Sequence, residues 1–232
     1  MQNIQNEKNL SNSNNINHAL VIGATGATGK DLLELLLNDV TINKVTVFVR
    51  KKLEVQHEKL NVHVIDFDKY EDWKNLVMGD VLFSCLGTTL KAAGSKEAQW
   101  KIDYTYQYQF AKAAKENQVQ KYVLVSSSGA NPNSFLFYPK LKGKLEDAVK
   151  ELKFEKLAIF NPPILIRKDS DRKGEIIGIK MIQAFNKIGL LLSQKPLSTK
   201  ILAKAMINAA KTNKSALAVF KGKEILECAG VN

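Results

Sequence analysis

The stretch "VIGATGATGK" (residues 21–30) places Gly23, Gly26 and Gly29 three residues apart and carries no charge before Lys30. Upstream, "HALVIG" (18–23) is an apolar run ending in glycine, the pattern of a buried strand. Downstream, "GKDLLELLLNDV" has Leu32, Leu33, Leu36 and Leu37 at helical spacing. A glycine-rich turn between a buried strand and a helix N-terminus is a seat for a phosphate: free N–H groups and a partial positive charge face outward there. Gly23 then permits the tight turn, Gly26 the approach of backbone to a pyrophosphate, and Gly29 close packing of helix on strand. Thr25 and Thr28 add hydroxyl donors. The spacing G-x-x-G-x-x-G lacks the GK[ST] ending of a P-loop. A dinucleotide is the expected ligand, against a purely structural turn.

The same alternation continues. "KVTVFVR" (44–50), "NVHVIDF" (61–67), "DVLFSCLG" (80–87), "KYVLVSSSG" (121–129) and "KLAIFNPP" (156–163) read as further buried strands. Helical segments separate them, the longest being 95–118 and the next opening at "YPKLKGKLEDAVKEL" with Pro139 in its first turn. Strands alternating with helices require right-handed crossovers and a parallel sheet covered on both faces. The expected fold class is therefore α/β, a doubly wound, Rossmann-like parallel sheet. The pattern loosens after Pro163. Segments 174–192 and 198–212 read as helical and "EILEC" (224–228) as a short strand, which together suggest a small C-terminal helical cap from about residue 162. The Asn-rich segment 1–17 reads as a disordered tail, leaving 18–232 as one domain.

The bulk numbers narrow the partners. Net charge is +11, yet only three of the 34 basic residues are Arg, and the lysines are spread along the chain with no aromatic-interleaved basic run. That argues against nucleic acid, whose readers favour the bidentate arginine fork. No apolar run has the roughly 18 residues of a membrane span. Cys85 and Cys228 lie too far apart in sequence to form a disulfide framework or a metal-ligand pair, and a reducing cytoplasm is the expected setting. The expected partner is a small-molecule substrate, with a protein partner or a homodimer as the further kinds of contact.

Strand ends locate the rest of the site. An NAD enzyme usually carries an acid at the end of the second strand, bonded to the ribose 2′-hydroxyl. This chain has Arg50, Lys51 and Lys52 there, suited to a 2′-phosphate, so NADP(H) is the expected cofactor. Asp66 and Phe67 end the third strand, where a carboxylate accepts from the adenine amino group and a ring packs on adenine; Asp66 and Asp68 also suit a helix cap. "CLGTT" (85–89) ends the fourth strand, and Cys85, Leu86 and Gly87 there bring backbone close to the ribose and pyrophosphate. The spacing Y-x-x-x-K occurs at Tyr70/Lys74, Tyr108/Lys112 and Tyr138/Lys142, but only Tyr138 follows the fifth strand with its Ser126, Ser127 and Ser128. A nearby ammonium is expected to lower the tyrosine pKa, tyrosine then exchanging a proton with a carbonyl or alcohol while serine holds the substrate oxygen.

With "GATGATG", "SSSGAN", the tyrosine–lysine pair and "FNPP", the chain resembles an atypical short-chain dehydrogenase/reductase of the Tat-interacting-protein type. "CLGTT", the serine doublet followed by Gly-Ala, and "GKEILE" fit in the same order, so the likeness spans about residues 18–232. The resemblance implies Gly23, Thr25, Gly26, Ala27, Thr28 and Gly29 at the pyrophosphate, Arg50 at the 2′-phosphate, and Ser127, Tyr138 and Lys142 at the reacting centre, with the choice of Ser127 or Ser128 left open. The family often has Arg-Pro-Gly after the sixth strand, where this chain has Asn161, Pro162 and Pro163. The contact to the nicotinamide amide or substrate then passes to Asn161 and Pro163. An NADP(H)-dependent oxidoreductase of a small carbonyl or alcohol is the leading expectation. A non-catalytic NADPH-binding sensor or regulatory protein, and an epimerase or dehydratase, are the alternatives.

Overall fold

The computed structural model describes residues 16–166 and 196–231. The described chain runs β1 (His18–Ile22), α1 (Ala27–Asn38), β2 (Lys44–Val49), β3 (Leu60–Val64), α2 (Tyr70–Trp73) and β4 (Val81–Ser84). It continues with α3 (Leu90–Ala93), α4 (Lys96–Trp100), a π turn (Lys101–Tyr106), α5 (Gln107–Glu116), β5 (Lys121–Val125), α6 (Phe137–Glu151) and β6 (Lys156–Asn161). The paired strands β7 (Leu165–Ile166) and β8 (Leu197–Ser198) precede α7 (Thr199–Thr212), β9 (Leu217–Lys221) and α8 (Lys223–Cys228).

Seven strands form one sheet in the order β3-β2-β1-β4-β5-β6-β9, and every neighbouring pair is parallel. The order reverses between β1 and β4, which leaves a crevice at the carboxyl ends of those two strands. Both faces are covered, as the apolar runs require. On one face α1 and α7 pack Leu32, Leu36, Leu202 and Met206 against Val21, Val47 and Phe83. On the other, Trp73, Phe110 and Leu145 pack against Leu20, Phe48 and Leu82. All four leucines expected on the inner face of α1 are buried, each worth about 1.5–3 kcal/mol in transfer free energy.

The C-terminal part differs from expectation. "EILEC" is not a strand but most of helix α8, with Ile225 turned inward and the Glu224 carboxylate accepting the Lys221 N–H at 2.9 Å. The strand is "LAVFK", β9, which extends the main sheet beside β6. It is hard to see in the sequence because it is an edge strand, with Leu217 and Lys221 exposed. The expected helix at 198–212 is α7, which packs on α1 as a layer of the doubly wound fold. The helix expected at 174–192 falls outside the described residues. At the other end, Ile16 is buried in the core and the Asn17 and His18 N–H groups donate to Asp80 at 2.8 Å, so the packed domain already includes Ile16.

Candidate cofactor and catalytic site

The three glycines do different work. Gly23 sits at φ +80°, and a Cβ there would meet the Cys85 carbonyl carbon at 2.5 Å. A Cβ at Gly29 would lie 2.0 Å from the Gly23 carbonyl oxygen. Both are demanded by the fold itself. Gly26 is not: its φ of −76° suits any residue, and a Cβ would touch only the Gly23 oxygen at 3.3 Å and the Cys85 oxygen at 3.8 Å. It is exposed, as are Thr25 and Ala27, whereas Thr28 is buried. Gly26 is also the N-cap of α1, with no side-chain cap and no acidic residue in the first turn. The helix therefore presents uncapped N–H groups and its positive end to the crevice beside a glycine the fold does not require.

The neighbouring strand ends are mixed. Arg50, Lys51 and Lys52 are all exposed just beyond β2. Cys85, Leu86 and Gly87 follow β4, with the Cys85 N–H donating to Ile22 O at 2.9 Å and Cys85 packed on Gly23. Strand β3 ends at Val64, so Asp66 and Phe67 lie in the loop after it. Phe67 is 5% exposed, its ring held between Tyr106 and Phe110, and so belongs to the core. Asp66 is exposed and accepts the Asp68 N–H at 3.0 Å in a local turn, while Asp68 bonds Lys101 and Tyr106; neither caps α2.

Beyond β5 the three serines separate. Ser126 is buried and donates to Glu146 Oε1 at 2.5 Å. The Ser128 N–H donates to the Pro162 carbonyl at 2.9 Å. Ser127 hydrogen-bonds the Tyr138 hydroxyl, so of the three it is the serine that faces the tyrosine. Tyr138 and Lys142 lie one turn apart on α6, and the buried Lys142 ammonium donates to the Val125 carbonyl at 3.2 Å. Gly143 makes this possible: a Cβ there would be 2.2 Å from Pro132 N and 2.3 Å from Asn131 C, so the helix seats against the loop that follows the serines. The other two Y-x-x-x-K pairs are elsewhere, Tyr70 bonded to Glu116 and Tyr108 stacked on Tyr104.

The electrostatics reverse one expectation. Burial, and then the Asp103 carboxylate, push the Tyr138 phenol well above its ordinary range, against the hydrogen bond from Ser127. Tyr138 thus rests neutral, a proton donor rather than a phenolate. Burial lowers Lys142, opposed by Asp103, Glu146 and Cys85 in that order. Cys85 is pushed up to about 12 by burial, which leaves its thiol unreactive at neutral pH.

Two acids join the site that motif reading passed over, Asp103 and Glu146. Glu146 Oε1 accepts from Ser126 and, at 2.7 Å, from Asn161 Nδ2, which also donates to Ser127 O at 3.0 Å. Asn161 Oδ1 is buried with no hydrogen-bond partner among the described residues, and Pro163 beside it is half-buried. The sequence signal for Asp103 was the polar stripe Gln99, Asp103, Gln107 at i, i+4 spacing, all three buried.

The NAD(P)H-binding family model matches residues 23–157. This chain belongs to that family, among the atypical short-chain dehydrogenases/reductases. It is 31% identical over 221 residues to Protein FMP52-1, mitochondrial, of Scheffersomyces stipitis, covering 90% of this chain and 97% of that one. It is 36% identical over 165 residues to Protein HTATIP2 of Rattus norvegicus, covering 69% and 68%. Among solved structures, the Bordetella bronchiseptica enzyme WbmH in complex with NAD+ superposes with a TM-score of 0.69 at 14% identity, over 88% of this chain and 75% of that one. A short-chain dehydrogenase family protein from Francisella tularensis gives 0.61 at 18%, over 90% and 98%. These two likenesses establish the fold. A nicotinamide cofactor follows from the family. The expected cytoplasmic setting does not stand, because the FMP52 relatives are named mitochondrial. Cys85 and Cys228 are both free thiols. Among the described residues, no helix is long and apolar enough to cross a membrane.

Proposed function

We propose that this chain is an NADP(H)-dependent oxidoreductase that reduces a small carbonyl to an alcohol. The observation that carries the reading is the convergence of Ser127, Tyr138 and Lys142 at the carboxyl end of β5, on the same edge of the sheet as the glycine turn.

The residues fit a nicotinamide dinucleotide. Gly26 leaves room that the fold does not use, and the uncapped N-terminus of α1 suits a pyrophosphate. Asn161 Oδ1, buried and without a partner among the described residues, can accept from a carboxamide N–H, and leaving such an atom unmet costs about 1–3 kcal/mol. Arg50 and Lys51, exposed at the end of β2, would hold the 2′-phosphate that distinguishes NADP from NAD.

A bound reduced nicotinamide would supply the hydride for the carbonyl carbon. Ser127 holds the substrate oxygen beside the phenol. Tyr138, neutral at rest, gives its proton to that oxygen as the carbonyl π bond breaks, leaving an alcohol and a phenolate. The Lys142 ammonium stabilises the phenolate until it is reprotonated from water. A neutral tyrosine favours this direction over alcohol oxidation, which needs the phenolate first.

Native mass spectrometry for co-purified nucleotide, followed by a carbonyl panel read by NADPH absorbance, tests the reading. Tyr138→Phe should retain NADPH affinity and lose about 10²–10⁴-fold in turnover. Tyr70→Phe and Tyr108→Phe should leave turnover unchanged. Full activity in Tyr138→Phe would refute the assignment, and tight NADPH binding with no turnover on any carbonyl would favour a regulatory NADPH-binding role.

A further inference from the structure

Asn161 closes β6, and the end of β5 is laced to it. The Ser126 N–H donates to the Phe160 carbonyl at 2.8 Å and the Ser128 N–H to the Pro162 carbonyl at 2.9 Å. Asn161 lies between these two backbone bonds, 5% exposed, and its Nδ2 donates to the Ser127 carbonyl at 3.0 Å. The same Nδ2 donates to Glu146 Oε1 at 2.7 Å, an oxygen that also accepts the Ser126 hydroxyl at 2.5 Å. Glu146 is itself buried. It follows Lys142 by one turn of α6, as Lys142 follows Tyr138, so it extends the helix face that carries the reacting pair.

These contacts fix which way the amide points. A primary amide offers two N–H donors on one side and an acceptor oxygen on the other. Both partners of Asn161 Nδ2, a peptide carbonyl and the Glu146 oxygen, are acceptors. Turning the amide over would break both bonds and set Oδ1 against those two oxygens. Oδ1 is therefore held away from the α6 network, buried and with no partner among the described residues. An oxygen held in this way takes an N–H or O–H from a ligand and repels an acceptor. Beside Ser127, at the carboxyl end of β6, the matching group of a nicotinamide dinucleotide is the carboxamide N–H.

We infer that Glu146 is a positioning residue that locks the Asn161 amide, and that Asn161, so locked, selects the 3-carboxamide of the nicotinamide ring. That role rests on the nicotinamide reading above and adds to it the group that is recognised and the side chain that aims the acceptor. Selection is one-sided. A ring bearing a 3-acetyl group has no N–H to give, so it leaves Oδ1 unmet.

The test compares NADPH with its reduced 3-acetylpyridine analogue, titrated calorimetrically into the whole chain. The parent should bind NADPH about tenfold or more tighter, the worth of one buried hydrogen bond left unmade. Asn161→Leu keeps the size and removes the acceptor, so the preference should shrink to about twofold or less. Glu146→Leu should shrink it likewise, whereas Glu146→Gln keeps an acceptor oxygen for Nδ2 and should retain it. A merely structural Glu146 would weaken both nucleotides alike. A second readout needs no nucleotide: the Asn161 side-chain NH2 signal in ¹⁵N NMR, assigned by its loss in Asn161→Leu. It should be protected from exchange in the parent and in Glu146→Gln, and exposed to exchange in Glu146→Leu. If Glu146→Leu does not fold, protection in the parent and the preference lost in Asn161→Leu decide the matter. Equal affinities in the parent, a parental preference in folded Asn161→Leu or Glu146→Leu, or an unprotected amide in the parent overturns the inference. A parent that binds neither nucleotide sinks the functional reading instead, and the amide signal then decides the lock by itself.

Discussion

Gly26→Ala separates a phosphate seat from a structural turn. The backbone at residue 26 suits alanine, and the new methyl would touch only the Gly23 oxygen at 3.3 Å and the Cys85 oxygen at 3.8 Å. Alanine is a poorer N-cap than glycine by about 0.5–1 kcal/mol, and the stiffer unfolded chain returns about 0.4–1 kcal/mol. The net change in stability stays below about 1 kcal/mol, or roughly 2–4 °C in Tm for a domain of this size. Gly29→Ala is the contrast. Its methyl would overlap the Gly23 oxygen at 2.0 Å, so the turn must open, at about 3 kcal/mol or more. Cofactor affinity should move the other way round from stability. A methyl at residue 26 stands where a pyrophosphate must approach the α1 N–H groups, and losing one charge-assisted hydrogen bond costs about 1.5–3 kcal/mol, roughly 10- to 150-fold in Kd. Thermal melts of the cofactor-free proteins and fluorescence titration with NADPH measure the two effects. A folded Gly26→Ala protein with parental NADPH affinity would refute the reasoning, and so would one as unstable as Gly29→Ala.

Arg50→Ala should narrow the preference for NADPH over NADH by about tenfold or more, measured by parallel titrations; equal affinities in the parent would remove the basis for NADP(H). Lys211 ties α7 to the end of α1 through Asp39 at 2.5 Å and Thr41 at 2.9 Å. Asp39 loses some charge stabilisation to burial, but the bonds from Lys211 and Thr41 prevail and hold its carboxyl below the ordinary range. A depressed folded-state pKa contributes stability above the unfolded value and loses it as pH falls, so Lys211→Met should cost up to about 1 kcal/mol at pH 7 and progressively less below about pH 4. Denaturant melts across that range would show the convergence, and a cost independent of pH would contradict it. A chain lacking residues 1–17 should melt lower than one lacking 1–15, because Ile16 fills the core and the Asn17 N–H is held by Asp80; equal Tm values would mean these contacts add nothing.

Much of this protein is local enough to read along the chain. Buried parallel strands must be apolar on both faces, so β1, β2 and β4–β6 announce themselves as runs, and their alternation with helices dictates the doubly wound sheet. The glycine turn is legible for the same reason: it lies between one strand and one helix, and its consequences are felt within ten residues. What the sequence did not hold is anything set by residues far apart. The edge strand β9 exists because β6 offers it a parallel partner, not because its residues demand it. Phe67 looked free to meet an adenine, but Tyr106 and Phe110, about 40 residues on, claim it for the core. The Tyr138–Lys142 spacing predicted their common face, yet burial first, and then the Asp103 carboxylate of the π turn, push the phenol's pKa up, opposite to the expected direction. Spacing fixes which side chains share a surface; burial and the charges brought against it from elsewhere fix their protonation, and those arise only when the chain is folded.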